Sequence, residues 1–172
     1  FQGNLSEQAR QVLAGELEYH AQAMKAQVMY VGNLEHGHID VDLFEAVVRE
    51  NQFAQFNLAG PYDPSKPLFQ RLQQYENVRF LGKIPYQQIP AFFDSADALM
   101  LVYGPKFTQS SHKLLEYLAS GKAIVSTYMK EYDVDQPLLY MSKSRDAYLN
   151  LFAEVISDLN TYNAPALMRR RI

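Results

Sequence analysis

The residues best suited to chemistry lie in one segment, 109–122, which reads QSSHKLLEYLASGK. Ser110 or Ser111 can cap a helix there, and the free N–H groups and dipole of a helix N-terminus attract an anion. Lys113 would add a full positive charge in the first turn. Glu116, on a neighbouring face, could accept hydrogen bonds from sugar hydroxyls beside that anion. A phosphate would fit this pattern, and a capped surface helix with an ordinary Lys–Glu pair explains it equally well.

Two other loops follow apolar runs that read as strands. Gly32 and Asn33 end the first run, and a glycine there would let the backbone approach a ligand. A Gly-x-Gly-x-x-Gly fingerprint fails because Leu34 stands at its middle position, and no Walker loop is present. A later turn, Gly82–Ile84, exposes backbone amides and carbonyls that could clamp a planar base, although a plain strand-to-helix turn also explains it. Neither loop indicates a dinucleotide or P-loop site.

The four histidines raise the question of a metal site. His36 and His38 stand two apart in the first loop, and the others are His20 and His112. Two loop histidines without a matching carboxylate motif are more often solvated side chains than ligands. No metal site is therefore expected. The chain also has no cysteine and no Gly-x-Ser-x-Gly elbow, which removes thiolate chemistry and the usual hydrolase signal.

Short apolar runs alternate with helical patterns, and these elements must position the loops. The predicted strands are 27–31, 53–59, 77–81, 98–102, 123–126 and 138–141; the predicted helices are 5–25, 40–50 with Asp40 as cap, 67–75, 90–95, 111–120 and 146–159. Because no hairpin turn separates the strands, we predict an α/β fold with a doubly wound parallel, Rossmann-like sheet. Ligands of such sheets bind where the carboxyl ends of strands lead into helices.

Length and composition predict one ordinary domain. The chain has 172 residues, 48% of them hydrophobic, and 16 Lys+Arg against 19 Asp+Glu. Apart from Arg169–Arg171 there is no basic run, so nucleic acid is not an expected partner. The apolar stretches are too short to span a bilayer and no signal peptide is seen, which favours a cytoplasmic location. We divide the chain into a protease-tag remnant (1–3), an N-terminal helix (4–26) and the Rossmann-like domain (27–172).

Five segments of the chain occur in an order that is typical of one protein family. The longest is 111–127, SHKLLEYLASGKAIVST, and the others are 30–32, 39–40, 58–61 and 77–86. In this order they resemble the C-terminal, donor-binding half of GT-B glycosyltransferases, specifically the group 1 enzymes that build bacterial surface polysaccharides. The long piece is similar to that family's lysine, Glu-Tyr-Leu-Ala, Gly-Lys and Val-Ser-Thr signature.

The resemblance implies a nucleotide-diphosphate sugar, with a uridine or guanosine base, held across the carboxyl edge of the sheet. Lys113 and the amides after Ser111 would hold the diphosphate, and Glu116 would bind the ribose; these two side chains are the implied catalytic residues. Transfer would retain the anomeric configuration and need no metal or other cofactor. The implied substrate-binding residues are Gly32, Asn33, Gly60, Gly82, Lys83, Ile84, Ser110, Ser111, Lys113, Leu114 and Glu116.

The resemblance also implies partners. The acceptor would be a glycan or a lipid-linked sugar at the inner face of the membrane, bound by an N-terminal domain of the same chain that is missing here. Without it, this hexosyltransferase domain would be inactive. Three departures stand against the family pattern: Thr108 replaces a carboxylate, Ser111 replaces a proline, and the first loop has no Lys or Arg. A non-catalytic regulatory or scaffolding domain and a nucleotide-sugar epimerase are the alternatives.

Overall fold

A computed structural model describes residues 25–107, 112–132 and 139–165, together with Gln8, Gln11, Val12 and Ala14. These four residues are helical, as predicted for 5–25. In the part of the chain that the structure describes, no helix is both long enough and apolar enough to cross a membrane.

Strands and helices alternate along the described chain. The strands are β1 (Ala26–Val31), β2 (Ala54–Ala59), β3 (Val78–Gly82), β4 (Ala98–Leu101), β5 (Ala123–Thr127) and β6 (Tyr140–Ser142). The helices are α1 (Val41–Glu50), α2 (Pro67–Leu72), α3 (Ile89–Asp94), α4 (His112–Ala119), α5 (Arg145–Ser157) and α6 (Leu159–Tyr162), with a 3₁₀ turn at Tyr86–Gln88.

The six strands form one sheet in the order β3-β2-β1-β4-β5-β6, and every neighbouring pair is parallel. This confirms the predicted doubly wound sheet. The order reverses direction between β1 and β4, which is the switch point where ligands of such sheets bind. The right-handed rule for crossovers assigns α1 and α2 to one face and α3 and α4 to the other, because the chain crosses the sheet in the opposite direction after β3.

The core lies on both faces of the central strands. All residues of β2 and β4 are buried, as a parallel strand covered by helices requires. Near the sheet, the largest fully buried side chains include Tyr30, Tyr117 and Tyr148. The hydroxyl of Tyr148 donates toward the carbonyls of Leu101 and Val125, at 3.2 and 3.3 Å, so it ties α5 to β4 and β5.

Helix α1 forms as predicted from the sequence. The Asp40 carboxylate accepts a hydrogen bond from the amide of Leu43 at 2.9 Å, which satisfies one free N–H of the first turn. Leu43, Phe44, Val47 and Val48 are all buried on one face of this helix. The cap and the apolar stripe therefore act together to orient α1 against the sheet.

Charged side chains join α1 to the two helices beside it. Arg71 of α2 forms ion pairs with Asp42 and Glu45. Arg145 of α5 lies 3.2 Å from the Asp40 carboxylate. Because most of these groups are exposed, the pairs contribute little to stability.

Two predicted boundaries were wrong because a turn occupies one end of the predicted strand or helix. Strand β2 begins at Ala54, since its amide donates to the carbonyl of Asn51 in a turn that leaves Phe53 54% exposed. Helix α2 ends at Leu72, whose carbonyl accepts from the amide of Tyr75.

The end of the last predicted helix was also wrong. Helix α5 ends at Ser157, and Asp158 then caps a separate helix, α6, by accepting from the amide of Thr161 at 3.4 Å. The 3₁₀ turn before α3 was not predicted either. Strand β6 begins at Tyr140, and the earlier part of the predicted strand, Leu138, lies outside the described residues.

Candidate functional site

Three glycines end the first three strands, and they lie against one another at the carboxyl edge of the sheet. The Gly32 amide donates to the carbonyl of Ala59 at 2.8 Å, and the Gly60 amide donates to the carbonyl of Gly82 at 2.7 Å. Gly60 has φ +139, and a Cβ on it would lie only 1.7 Å from the carbonyl oxygen of Gly32. At Gly60 this edge is therefore bare main chain that only glycine permits.

Lys113 reaches across this edge from the first turn of α4. A Cβ built on Gly32 would lie 3.0 Å from Lys113 Nζ and 2.8 Å from Tyr30 Oη. The ammonium of Lys113 and the hydroxyl of Tyr30 therefore both lie close to Gly32, at the end of β1. Burial raises the pKa of Tyr30, which also bonds to Tyr103, so its hydroxyl stays protonated.

The environment of Lys113 makes its charge poorly hydrated. The side chain is partly buried, and this burial lowers its pKa from the ordinary lysine value, while the nearby Glu116 carboxylate acts in the opposite direction. A partly desolvated ammonium interacts strongly with an anion, because little water must be displaced and the local dielectric is low. The geometry and electrostatics together suit a phosphate group.

Tyr117 fixes the position of α4 and hence of Lys113. The amide of Val31 donates to Tyr117 Oη at 2.7 Å, and Tyr117 Oη donates to the carbonyl of Val31 at 3.3 Å. The tyrosine is fully buried, and Phe93 packs edge-on against its ring at 5.3 Å. Sequence reasoning missed this residue; its signal was a tyrosine on the apolar stripe of a helix directly after a candidate strand end.

Tyr117→Phe is expected to lower the free energy of unfolding by about 2 kcal/mol, because it leaves the buried Val31 amide without a partner. Urea denaturation followed by circular dichroism measures the change. Tyr86→Phe is the matched control, since Tyr86 is 71% exposed and its hydroxyl lies in water. Equal midpoints for the two variants would show that the Tyr117 hydroxyl does not hold α4 to β1.

Glu116 lines a groove of about 270 Å³ between α3 and α4. The exposed ring of Tyr86 and the side chains of Pro90 and Ser120 border the same groove. A carboxylate beside an aromatic ring can accept hydrogen bonds from hydroxyls while the ring contacts an apolar face. Glu116 lies close enough to Lys113 to affect the pKa of that lysine. Its own side chain lines the groove between α3 and α4.

The remaining predicted residues are placed less uniformly. The Oδ1 atom of Asn33 accepts from the amide of Glu35 at 2.9 Å, so this oxygen serves its own loop. Lys83 is exposed, and Ile84 packs partly against the core. Leu114 is fully buried, so a ligand could reach only its main chain. Ser110 and Ser111, and Thr108 before them, lie outside the described residues, and so does the cap of α4.

The two loop histidines join the loop after β1 to the loop after β4. Their ring centroids are 4.4 Å apart, and His38 stacks on Phe107 at 4.5 Å. The amide of Gly104 donates to the carbonyl of His38 at 2.7 Å. Within 25–107, 112–132 and 139–165, no group of three or more His, Cys, Asp or Glu is placed to hold a metal ion.

Comparison with known proteins agrees with this architecture. A parallel Rossmann-like sheet with a glycine-lined, cationic edge is the fold of one half of a GT-B glycosyltransferase. The family profile described as glycosyl transferases, group 1, matches residues 25–158. The chain therefore belongs to the group 1 glycosyltransferases. None of the curated protein sequences is significantly similar to it.

Solved structures share the fold at low sequence identity. Anabaena HepE, solved with UDP and glucose, has a TM-score of 0.67 and 16% identity over 97% of this chain and 47% of its own. Sucrose-phosphate synthase from Thermosynechococcus elongatus gives 0.68 and 16% over 92% and 43%. WaaG, a glycosyltransferase of lipopolysaccharide biosynthesis, gives 0.65 and 15% over 92% and 45%. The chain thus spans less than half of each of these proteins.

Proposed function

We propose that this domain binds the donor of a glycosyltransferase, a nucleotide-diphosphate sugar, with the diphosphate at the edge formed by Gly32, Gly60 and Lys113. The observation that carries the proposal is the position of Lys113 Nζ over the bare main chain of Gly32. A diphosphate needs both a cation and room to approach, and this edge offers both. The UDP and UDP-glucose held by HepE are in line with this donor class.

In the proposed reaction, one role falls to each of three groups: Lys113, Glu116 and the main chain of Gly82–Ile84. Lys113 stabilises the negative charge that develops on the departing diphosphate, which is why no metal is needed. Glu116 accepts hydrogen bonds from the ribose hydroxyls, and the main chain of Gly82–Ile84 reads a uridine or guanosine base. The sugar, a hexose, is transferred with retention of configuration.

The acceptor half lies in the rest of the protein. We propose a glycan or lipid-linked acceptor, bound by an N-terminal domain of the same chain, so this domain alone would not catalyse transfer. The protein would act in polysaccharide synthesis in the cytoplasm, at the inner face of the membrane. WaaG acts in lipopolysaccharide biosynthesis, and TarM from S. aureus was solved with UDP and a GlcNAc-glycerol compound.

A thermal-shift panel with the diphosphates of uridine, guanosine, adenosine and cytidine tests donor binding. A ligand at a hundredfold excess over its Kd stabilises the native state by about 2.7 kcal/mol. For a domain of this size that corresponds to roughly 5–10 °C in Tm. We expect one base to give this shift. No shift with any of the four would contradict the proposal that this domain binds the donor, and would favour a non-catalytic domain.

The ribose contact has its own test within the same assay. Wild-type protein is expected to bind the ribonucleotide about 10- to 100-fold more tightly than its 2′-deoxy form, because a hydroxyl bonded to a carboxylate contributes about 1.5–3 kcal/mol. Glu116→Gln should remove most of this preference while leaving the fold intact. Glu154→Gln, on the exposed face of α5, is the matched control. An unchanged preference in Glu116→Gln would reject the ribose assignment.

A further inference from the structure

A cleft at the sheet edge is lined by none of the side chains that the proposed donor site uses. It has a volume of about 450 Å³ and opens at the carboxyl ends of β4, β5 and β6. Neither Lys113 nor Glu116 lines it, and neither do the glycines that end β1, β2 and β3. Its size lies within the range of about 300–1,000 Å³ typical of small-molecule sites. Its position is one where ligands of parallel sheets bind.

The lining of this cleft combines aromatic and polar side chains. Its aromatic and apolar members are Tyr103, Tyr128, Leu43 and Pro105. Its polar members include Asp40, Ser142 and Arg145. A sugar ring has an apolar C–H face and a rim of hydroxyls that both donate and accept. A lining that mixes aromatic rings with a carboxylate, a hydroxyl and a guanidinium complements such a ring on both counts.

The cleft also carries positively charged side chains. Lys143 lies with Nζ 4.6 Å above the ring of Tyr128. Arg145 Nη2 is 3.2 Å from Asp40 Oδ1, and this same oxygen caps α1. Two cations and one carboxylate therefore line the space. Arg145 Nη2 also lies 4.0 Å from Asp42 Oδ2, so two carboxylates balance the guanidinium. The charge of Lys143 is the one left for a ligand.

We infer that this cleft is a second ligand site, which binds a hexose carrying an anionic group. Lys143 and Arg145 would hold the anionic group, and Asp40 and Ser142 would bond the ring hydroxyls while Tyr128 contacts the C–H face. The site goes beyond the proposed donor site and does not depend on it. Its ligand is either a free sugar phosphate or a uronic acid residue of a glycan.

A titration followed by ¹H–¹⁵N NMR on the 172-residue chain tests this inference. The probes are glucose 6-phosphate and glucuronic acid, compared with glucose and inorganic phosphate. We expect saturable shifts of the amides of Gly104, Tyr128 and Lys143 with at least one anionic hexose. Glucose and phosphate should each bind at least tenfold more weakly. The stronger of the two anionic probes then identifies the source of the ligand.

The titration is repeated with UDP at saturating concentration, so that this site and the donor site are read separately. Shifts at the cleft that persist with UDP support the inference, whether or not UDP itself binds. Shifts that centre on Gly32 and disappear with UDP would overturn it. Absence of saturation with both anionic hexoses, or an equal response to glucose or phosphate, would overturn it as well.

Lys143→Ala is expected to weaken binding of the anionic hexose about tenfold, because it removes a charge-assisted hydrogen bond. Arg145→Gln provides a second variant, and the NMR spectrum itself reports whether each variant is folded. Lys66→Ala, an exposed lysine before α2, is the matched control and should bind like wild type. Unchanged affinity in both Lys143→Ala and Arg145→Gln would reject the assignment.

Discussion

Gly60→Ala is expected to destabilise the domain by about 4 kcal/mol, or to prevent folding, because steric overlap and backbone strain add at this position. The φ of +139 is costly for any residue with a side chain, and the added Cβ would lie 1.7 Å from the carbonyl oxygen of Gly32. The neighbouring main chain cannot move away easily. Its hydrogen bonds from Gly32 to Ala59 and from Gly60 to Gly82 hold three strand ends together.

Alanine variants of two other glycines separate the cost of backbone strain from the cost of steric overlap. Gly37→Ala meets nothing within 4 Å and is expected to change stability by no more than about 0.5 kcal/mol. Gly82→Ala also meets open space, but its φ of +70 should cost about 1 kcal/mol. Urea denaturation of the three variants measures the series. A Gly60→Ala midpoint equal to that of Gly82→Ala would mean that the close approach to Gly32 is relaxed at little cost.

Lys113→Ala is expected to weaken binding of the nucleotide diphosphate by about 10- to 100-fold, since a charged hydrogen bond contributes about 1.5–3 kcal/mol. The side chain is partly buried at the point where the diphosphate would approach Gly32, so water cannot replace the ammonium well. Isothermal titration calorimetry with the diphosphate that binds best measures the loss. The bare nucleoside should bind both proteins alike, because it carries no phosphate for Lys113 to contact.

The pH dependence gives the Lys113 assignment an independent readout. Because burial lowers the pKa of Lys113, the side chain loses its proton at a lower pH than an ordinary lysine. Diphosphate affinity of the wild type should therefore fall as pH rises through that lowered pKa, and Lys113→Ala should not show this decline. Lys66→Ala serves as the control with wild-type affinity. A Lys113→Ala protein that binds the diphosphate like wild type would refute the site.

Local sequence signals were sufficient for the elements and the class of sheet. The apolar run 98–102 predicted the strand β4, and Asp40 predicted the capped start of α1; both are confirmed. Gly121 directly follows the predicted helix 111–120, and its φ of +68 is the left-handed conformation in which a glycine commonly ends a helix. These signals depend on residues close together in the chain, so they can be read without knowing the fold.

The site was only partly predictable. The pattern of Lys113 and Glu116 on one helix identified both side chains, and the family match agrees with the resemblance that named them. The sequence could not show that Lys113 lies over Gly32, 81 positions away by number. Nor could it show that Glu116 faces the groove beside α3. Their roles toward a donor stay predictions until the binding experiments are done.

The sequence by itself thus determined the alternation of strands and helices, the parallel sheet and the loops at its carboxyl edge, because periodicity, caps and turn residues act locally. Only the tertiary structure decided what meets at the sheet edge. The contact of Gly60 with Gly32, the bond of Tyr117 to Val31 and the cleft beside Lys143 all join residues distant in sequence. Such contacts depend on strand order and crossover direction, which no local pattern contains.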